Sequence, residues 1–238
     1  MKVYDSIFTA YQNQQSLLAV LIDPEKTQPE QGADLCQRLQ GTPVTHLLVG
    51  GSTFEGPHLE ELVTQLKHES GLPVLLFPGD YAQITEAADG ILFLSLLSGR
   101  NPEYLIEQQV KAAPLLQHTS LEVIPTGYLL IESGTETAVQ RVSGTQPLAR
   151  NNPQHVAMTA LAGQLLGKKL MYLEAGSGAQ HAVPLEMIAT VAQSVTIPLI
   201  VGGGIRSFAQ IQAAHQAGAT MVVIGTAFEE NPNFFKSS

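Results

Sequence analysis

From Leu17 onward the chain repeats one unit: an apolar run, a short polar or glycine-rich break, then an amphipathic stretch. The apolar runs predict strands at Leu17–Ile22, His46–Gly50, Pro73–Phe77, Gly90–Leu94, Leu121–Ile124, Leu170–Glu174, Pro198–Val201 and Thr220–Ile224. Helical spacing predicts helices over Pro29–Gln40, His58–Glu69, Pro102–Ala112, Pro153–Leu166, Leu185–Ser194 and Ser207–Ala217, several opened by proline and closed by Gly41, Gly71, Gly167 or Gly218. About eight strands alternating with helices is the pattern of an α/β protein of the (β/α)8 TIM-barrel class. Two connections depart from it. Pro78 to Asp89 leaves room for barely two helical turns, so the third helix is expected to be short or missing. Thr126 to Asn152 is long and rich in Gly, Thr and Ser, a length usual for a lid or a partner contact. The last helix is short as well, and the segment Val3–Asn13, with Val3, Ile7, Phe8 and Tyr11 at helical spacing, is expected to cover the gap.

Composition narrows the class without changing the fold. The 238 residues suit one barrel domain, residues 1–238, and 44% hydrophobic with 14% charged residues is ordinary for a globular α/β protein. No apolar run approaches the roughly 18 residues of a membrane span, and no leader pattern follows Met1, which predicts a cytoplasmic protein. The single Cys36 excludes an internal disulfide and a cysteine-rich metal site. A net charge of −9 argues against nucleic acid, so an anionic substrate has to be held locally by backbone N–H groups, a few cations or a metal.

In such a barrel the chemistry sits where strands end. Strand one delivers Asp23-Pro-Glu-Lys26, strand two Gly51-Ser-Thr53, strand three Pro78-Gly79, strand four Ser95, strand five Pro125-Thr-Gly-Tyr128 and strand six Glu174-Ala-Gly-Ser-Gly178. Asp23 reads as a Mg²⁺ ligand helped by the Ser52 hydroxyl, or as a turn aspartate before Pro24. Lys26 reads as a partner for a diphosphate, or for Glu25 and solvent. Glu174 is placed to act as a general base, or only to orient Tyr172 or a loop amide. Gly202–Gly204 and Gly225, after strands seven and eight, free the backbone to approach a phosphate.

Taken together, Leu21-Ile-Asp-Pro-Glu-Lys26, Val49-Gly-Gly-Ser-Thr53, Phe77-Pro-Gly79, Pro125-Thr-Gly-Tyr-Leu-Leu-Ile131, Tyr172-Leu-Glu-Ala-Gly-Ser-Gly178, Val201-Gly-Gly-Gly-Ile205 and Ile224-Gly-Thr226 resemble the geranylgeranylglyceryl phosphate synthase family, including its heptaprenylglyceryl phosphate synthase branch. The pattern is closest to its group II members. The resemblance implies a Mg²⁺-dependent prenyltransferase that joins sn-glycerol 1-phosphate to a polyprenyl diphosphate, with geranylgeranyl diphosphate expected, through an ether bond in phospholipid biosynthesis. It implies Asp23 and Ser52 at the metal and Glu174 as the base. Tyr172, Leu173, Glu174, Ala175, Gly176, Ser177, Gly178, Gly203, Gly204, Gly225 and Thr226 would surround glycerol 1-phosphate.

The prenyl tail would leave through the gap at the third helix, with Phe77, Tyr81, Phe93 and Tyr128 as candidate lining. A homo-oligomer, dimer or hexamer, is implied, with Leu97–Tyr104 facing a neighbour. Other phosphate-binding barrels stay open: a sugar-phosphate isomerase or lyase, an FMN oxidoreductase, or a non-catalytic binder. A Schiff-base aldolase is disfavoured because Lys168 and Lys169 precede strand six, at the opposite face.

Overall fold

The computed structural model describes residues 2–51, 58–231 and 233–236. Eight parallel strands close into a barrel in sequence order: β1 (Leu17–Ile22), β2 (His46–Val49), β3 (Val74–Leu76), β4 (Gly90–Leu96), β5 (Glu122–Leu130), β6 (Leu170–Glu174), β7 (Leu199–Gly202) and β8 (Met221–Ile224). Closure comes from β1 pairing with β8, Leu17 opposite Met221. Alternation sorts the side chains into two layers. Val20, Ile22, Leu47, Val49 and Leu129 face the helices, whereas Ala19, Leu48, Leu75, Leu92 and Tyr172 fill the barrel interior.

The helices are α1 (Val3–Gln12), α2 (Gly32–Leu39), α3 (Leu59–Ser70), α4 (Gln108–Leu116), α5 (Ala138–Ser143), α6 (Pro153–Leu165), α7 (Leu185–Ser194), α8 (Phe208–Gln216) and α9 (Thr226–Glu230). A π-helical turn, Glu103–Glu107, leads directly into α4. Several ends follow their chemistry: Asn152 and Ser207 accept N-cap hydrogen bonds from His155 and Gln210, and Gly71 closes α3 in the left-handed region.

Helix α1 does not cover the gap beside the short last helix, as the sequence suggested. Its Val3 and Ile7 belong to the interior cluster, and Glu122 Oε2, at the start of β5, accepts from the backbone N–H of Val3 (2.6 Å) and of Tyr4 (3.3 Å). The helix therefore plugs the N-terminal end of the barrel. The other side of that short helix is filled by Phe208, Phe228, Phe234 and Phe235, whose rings pack 5.2–5.8 Å apart.

Two strands run further than their apolar patterns. Ser95 lies inside β4, and Pro125-Thr-Gly-Tyr128 lies inside β5, where Phe93 opposes Pro125 and Leu96 opposes Tyr128. These residues are strand interior, not strand ends. Glycine and proline there read as punctuation, yet seven consecutive pairs with β4 hold the segment extended. Ser95 points away from the barrel interior and its hydroxyl accepts from Lys168 Nζ at 2.6 Å, so it is no part of the mouth.

The third helix is missing outright. Strand β3 has three residues and pairs with β4 only at Leu75–Gly90 and Leu76–Ile91, and residues 77–89 form turns without a helix. The outer face of β4 is left uncovered on that side.

Candidate active site

The C-terminal mouth of the barrel opens into a cavity of about 380 Å³ that runs from the glycine-rich ends of β6, β7 and β8 to the open flank of β4. Its polar end is built around Glu174, the last residue of β6. This carboxylate is 6% exposed and its Oε1 accepts from the Gly176 N–H at 2.6 Å. Burial raises its pKa to about 7, opposed by the Gly176 N–H and the nearby Tyr172 hydroxyl, both of which favour the charged form.

Tyr172 is fully buried, and its hydroxyl makes no aligned hydrogen bond. It stands beside Glu174 Oε2: a Cβ on Gly202 would lie 2.7 Å from each. A buried hydroxyl beside a carboxylate, without a well-aligned partner, is a place where a polar ligand atom can be received.

Glycine is required at 203 on two counts. Its φ is +80°, and a Cβ would fall 2.3 Å from Glu174 Oε1 and 2.6 Å from the Gly176 nitrogen. The turn after β7 thus lies directly against the Glu174–Gly178 loop. Arg206 closes the same contact by donating from Nη2 to the Ala179 carbonyl at 2.9 Å. Gly225 and Thr226 complete this end, where β8 passes into α9. Leu173 faces the helix layer and Ala175 belongs to the same outer cluster, so of the Tyr172–Gly178 set these two do not line the cavity.

Asp23 and Lys26 stand across the mouth, after β1. Asp23 Oδ1 accepts from the Glu25 N–H at 3.0 Å, the turn contact that its position before Pro24 allowed, and Oδ2 lies 3.5 Å from Lys26 Nζ. Lys26 also pairs with Glu229 of α9 at 3.0 Å, a partner the sequence reading did not include. Partial burial lowers the Lys26 pKa, but Glu229 and Asp23 outweigh it and leave it raised. Ser52 lies outside the described residues. Among the described residues no three His, Cys, Asp or Glu side chains converge to hold a metal. The Asp23 carboxylate at the cavity still suits Mg²⁺, which takes one or two protein carboxylates and completes its shell with substrate phosphates and water.

Between these corners three rings meet. Phe77 lies 5.2 Å from Tyr172 and 5.9 Å from Tyr128, and the two tyrosines are 5.5 Å apart. Burial, and then the Glu174 charge, push the Tyr128 pKa well above its ordinary value, so this ring stays neutral. Beyond them the cavity turns apolar along Tyr81, Ile84, Ile91 and Phe93, in the space the missing helix vacates. All four aromatics expected to line a trough line the cavity.

Two parts of the wall escaped the sequence reading. Helix α5, inside the long segment flagged as a lid, sets Val139 and Val142 over the cavity, and its N-cap Thr137 would be 2.3 Å from a Cβ on Gly176. Its far end is held by the Tyr104 hydroxyl, which donates to the Val142 carbonyl at 3.2 Å. The opposite wall is Tyr104, Gln108 and Gln109, which a helical pattern alone does not aim at a site.

The sequence profile of the PcrB family matches residues 11–237. A geranylgeranylglyceryl phosphate synthase from Flavobacterium johnsoniae is 56% identical over 99% of this chain and 97% of its own. One from Pyrococcus furiosus is 46% identical over 88% of this chain and 83% of its own. The crystal structure of (S)-3-O-geranylgeranylglyceryl phosphate synthase from Thermoplasma acidophilum, in complex with its substrate sn-glycerol-1-phosphate, has a TM-score of 0.93 at 34% identity, covering 99% of this chain and 95% of that one. A profile match across nearly the whole length, with relatives at this identity and coverage, shows that the chain belongs to the PcrB family.

Proposed function

We infer that this protein is a prenyltransferase that forms an ether bond between sn-glycerol 1-phosphate and a polyprenyl diphosphate, geranylgeranyl diphosphate being the expected donor. The observation that carries this reading is one continuous cavity joining two unlike ends. One is glycine-rich and contains a buried carboxylate with a pKa of about 7; the other is an apolar trough opened by the missing helix. A sugar-phosphate isomerase has no use for such a trough.

The acceptor's phosphate is held by backbone N–H groups of the turns at Gly203-Gly204 and Gly225-Thr226, with Ser177 and Gly178 closing over it. This seats the acceptor's free hydroxyl at Glu174 and the Tyr172 hydroxyl. With a pKa of about 7, Glu174 is about half ionised at neutral pH, a protonation state matched to taking a proton during the reaction. Asp23, with the Ser52 hydroxyl, would hold Mg²⁺, and Lys26 faces the same diphosphate. When bound, Mg²⁺ supplies electrophilic stabilisation of the departing diphosphate.

The bond from the allylic carbon to the diphosphate oxygen breaks, and its electron pair leaves with the diphosphate. The faces of Phe77, Tyr128 and Tyr172 stabilise the positive charge that develops on the prenyl carbon. The acceptor oxygen bonds to that carbon and its proton passes to Glu174. Water is kept out by α5, so positioning contributes much of the rate.

One barrel domain carries all of these parts. We further propose that the protein works in the cytoplasm, in keeping with the absence, among the described residues, of any helix long and apolar enough to cross a membrane. Exposed Ile106, Val110 and Leu115 on one stretch support a homo-oligomer, dimer or hexamer.

The test is a product assay with Mg²⁺, glycerol 1-phosphate and farnesyl, geranylgeranyl and heptaprenyl diphosphates. A phosphoether product is expected. Folded protein that gives none with any donor overturns the assignment.

A further inference from the structure

A buried polar side chain crosses the apolar trough. Gln109, in the first turn of α4, is 9% exposed and lines the cavity. Its side-chain Nε2 donates to the Leu94 carbonyl of β4, while its Oε1 is buried with no hydrogen-bond partner. Leu94 lies beyond the last residue of β4 that β3 reaches, so its carbonyl stands on a strand flank left open by the missing helix. The neighbouring Gln108 fastens the same helix to the other bank: its Oε1 accepts from the Tyr81 N–H at 2.8 Å and its Nε2 donates to Glu103 at 2.7 Å. Two successive glutamines therefore tie α4 to both sides of the trough. The π-helical turn Glu103–Glu107, directly before them, alters the register at which they arrive.

Stability does not explain Gln109. A buried carbonyl oxygen without a donor is destabilising, and an apolar side chain of similar size would pack there without that loss. Its neighbours in the wall, Ile84, Ile91 and Ala112, are apolar, as a hydrocarbon tail requires. We propose that Gln109 is the bar that sets how far a prenyl tail runs along this trough, and hence a determinant of donor length. This rests on the prenyltransferase reading above. The side chain spans the gap from α4 to β4, and a tail that reaches it must either stop or press its methyl groups against an unsatisfied oxygen.

The experiment measures kcat/KM for farnesyl, geranylgeranyl and heptaprenyl diphosphates with the wild type, Gln109→Ala and Gln109→Leu, each with Mg²⁺ and glycerol 1-phosphate. Gln109→Ala removes the bar and Gln109→Leu keeps its bulk without its polarity, so either variant is informative if the other fails to fold. Freeing space for a few more buried methylenes raises the heptaprenyl-to-geranylgeranyl ratio by about tenfold in Gln109→Ala. A smaller rise, still above twofold, is expected in Gln109→Leu, because the unsatisfied oxygen opposes the tail alongside the bulk of the side chain. Ratios within twofold of wild type in the folded variants overturn the proposal, as does an equal loss for all three donors, which marks Gln109 as structural support for β4. A wild type that makes no product from any donor would instead overturn the prenyltransferase reading.

Discussion

Replacing Glu174 by Gln changes activity and stability in opposite directions, and both magnitudes follow from one buried charge. In the folded protein the Glu174 pKa is about 7, against an ordinary 4.5, chiefly because burial penalises the carboxylate. Between these values the folded state binds a proton that the unfolded chain has released, so stability falls as pH rises from 4.5 to 7 and stays lowered above it. At about 1.36 kcal/mol for each tenfold change in proton affinity, the 2.5-fold logarithmic interval corresponds to about 3 kcal/mol at pH 8. Glutamine keeps the shape and can still accept from the Gly176 N–H, but carries no charge. Urea denaturation at pH 8 is expected to show Glu174→Gln more stable than wild type by up to about 3 kcal/mol, with the difference vanishing near pH 4. Product formation is expected to fall by about 10²–10⁴-fold, the usual contribution of a positioned base. In the wild type, kcat/KM should decline below pH 7, not below 4.5. Equal or lower stability of the variant at pH 8 refutes the buried-charge argument, and unimpaired turnover refutes the role as base.

Three further outcomes are expected. Gly203→Ala places a Cβ within 2.3 Å of Glu174 Oε1 at a φ of +80°, so the acceptor site should collapse; a glycerol 1-phosphate titration with unchanged affinity would contradict the close approach. Asp23→Asn should shift the Mg²⁺ titration of activity to higher concentration, and an unaltered titration would remove Asp23 from the metal. His46, inside the N-terminal end of the barrel, has a pKa lowered by burial to about 4 from an ordinary 6.5, so wild-type stability is lost as pH falls through that interval. His46→Leu should therefore gain about 3 kcal/mol relative to wild type between pH 7 and pH 4, and equal losses in the two proteins would show that the imidazole does not resist protonation.

The chain pattern alone determined that there are eight strands, where most helices begin, and that residues 78–89 cannot hold a full helix. These are local matters: periodicity, caps and segment length are written in consecutive residues. It also singled out Asp23, Lys26, Glu174 and the glycine sites, because a charge or a glycine at the end of an apolar run has few structural uses.

Tertiary structure decided the rest. Pro125 and Gly127 look like a turn and are strand, because pairing with β4 fixes the backbone of β5. Helix α1 looks like one more outer helix and is a plug, because a glutamate 119 residues away caps it. Lys26 meets Glu229, Thr137 meets Gly176 and Gln109 bridges to β4 only when the barrel closes. None of these pairs shares a local pattern, since the strand register and the missing helix decide which distant side chains face one another. The sequence alone determined which residues could do chemistry; the closed barrel decided which of them meet, and where the apolar trough is crossed.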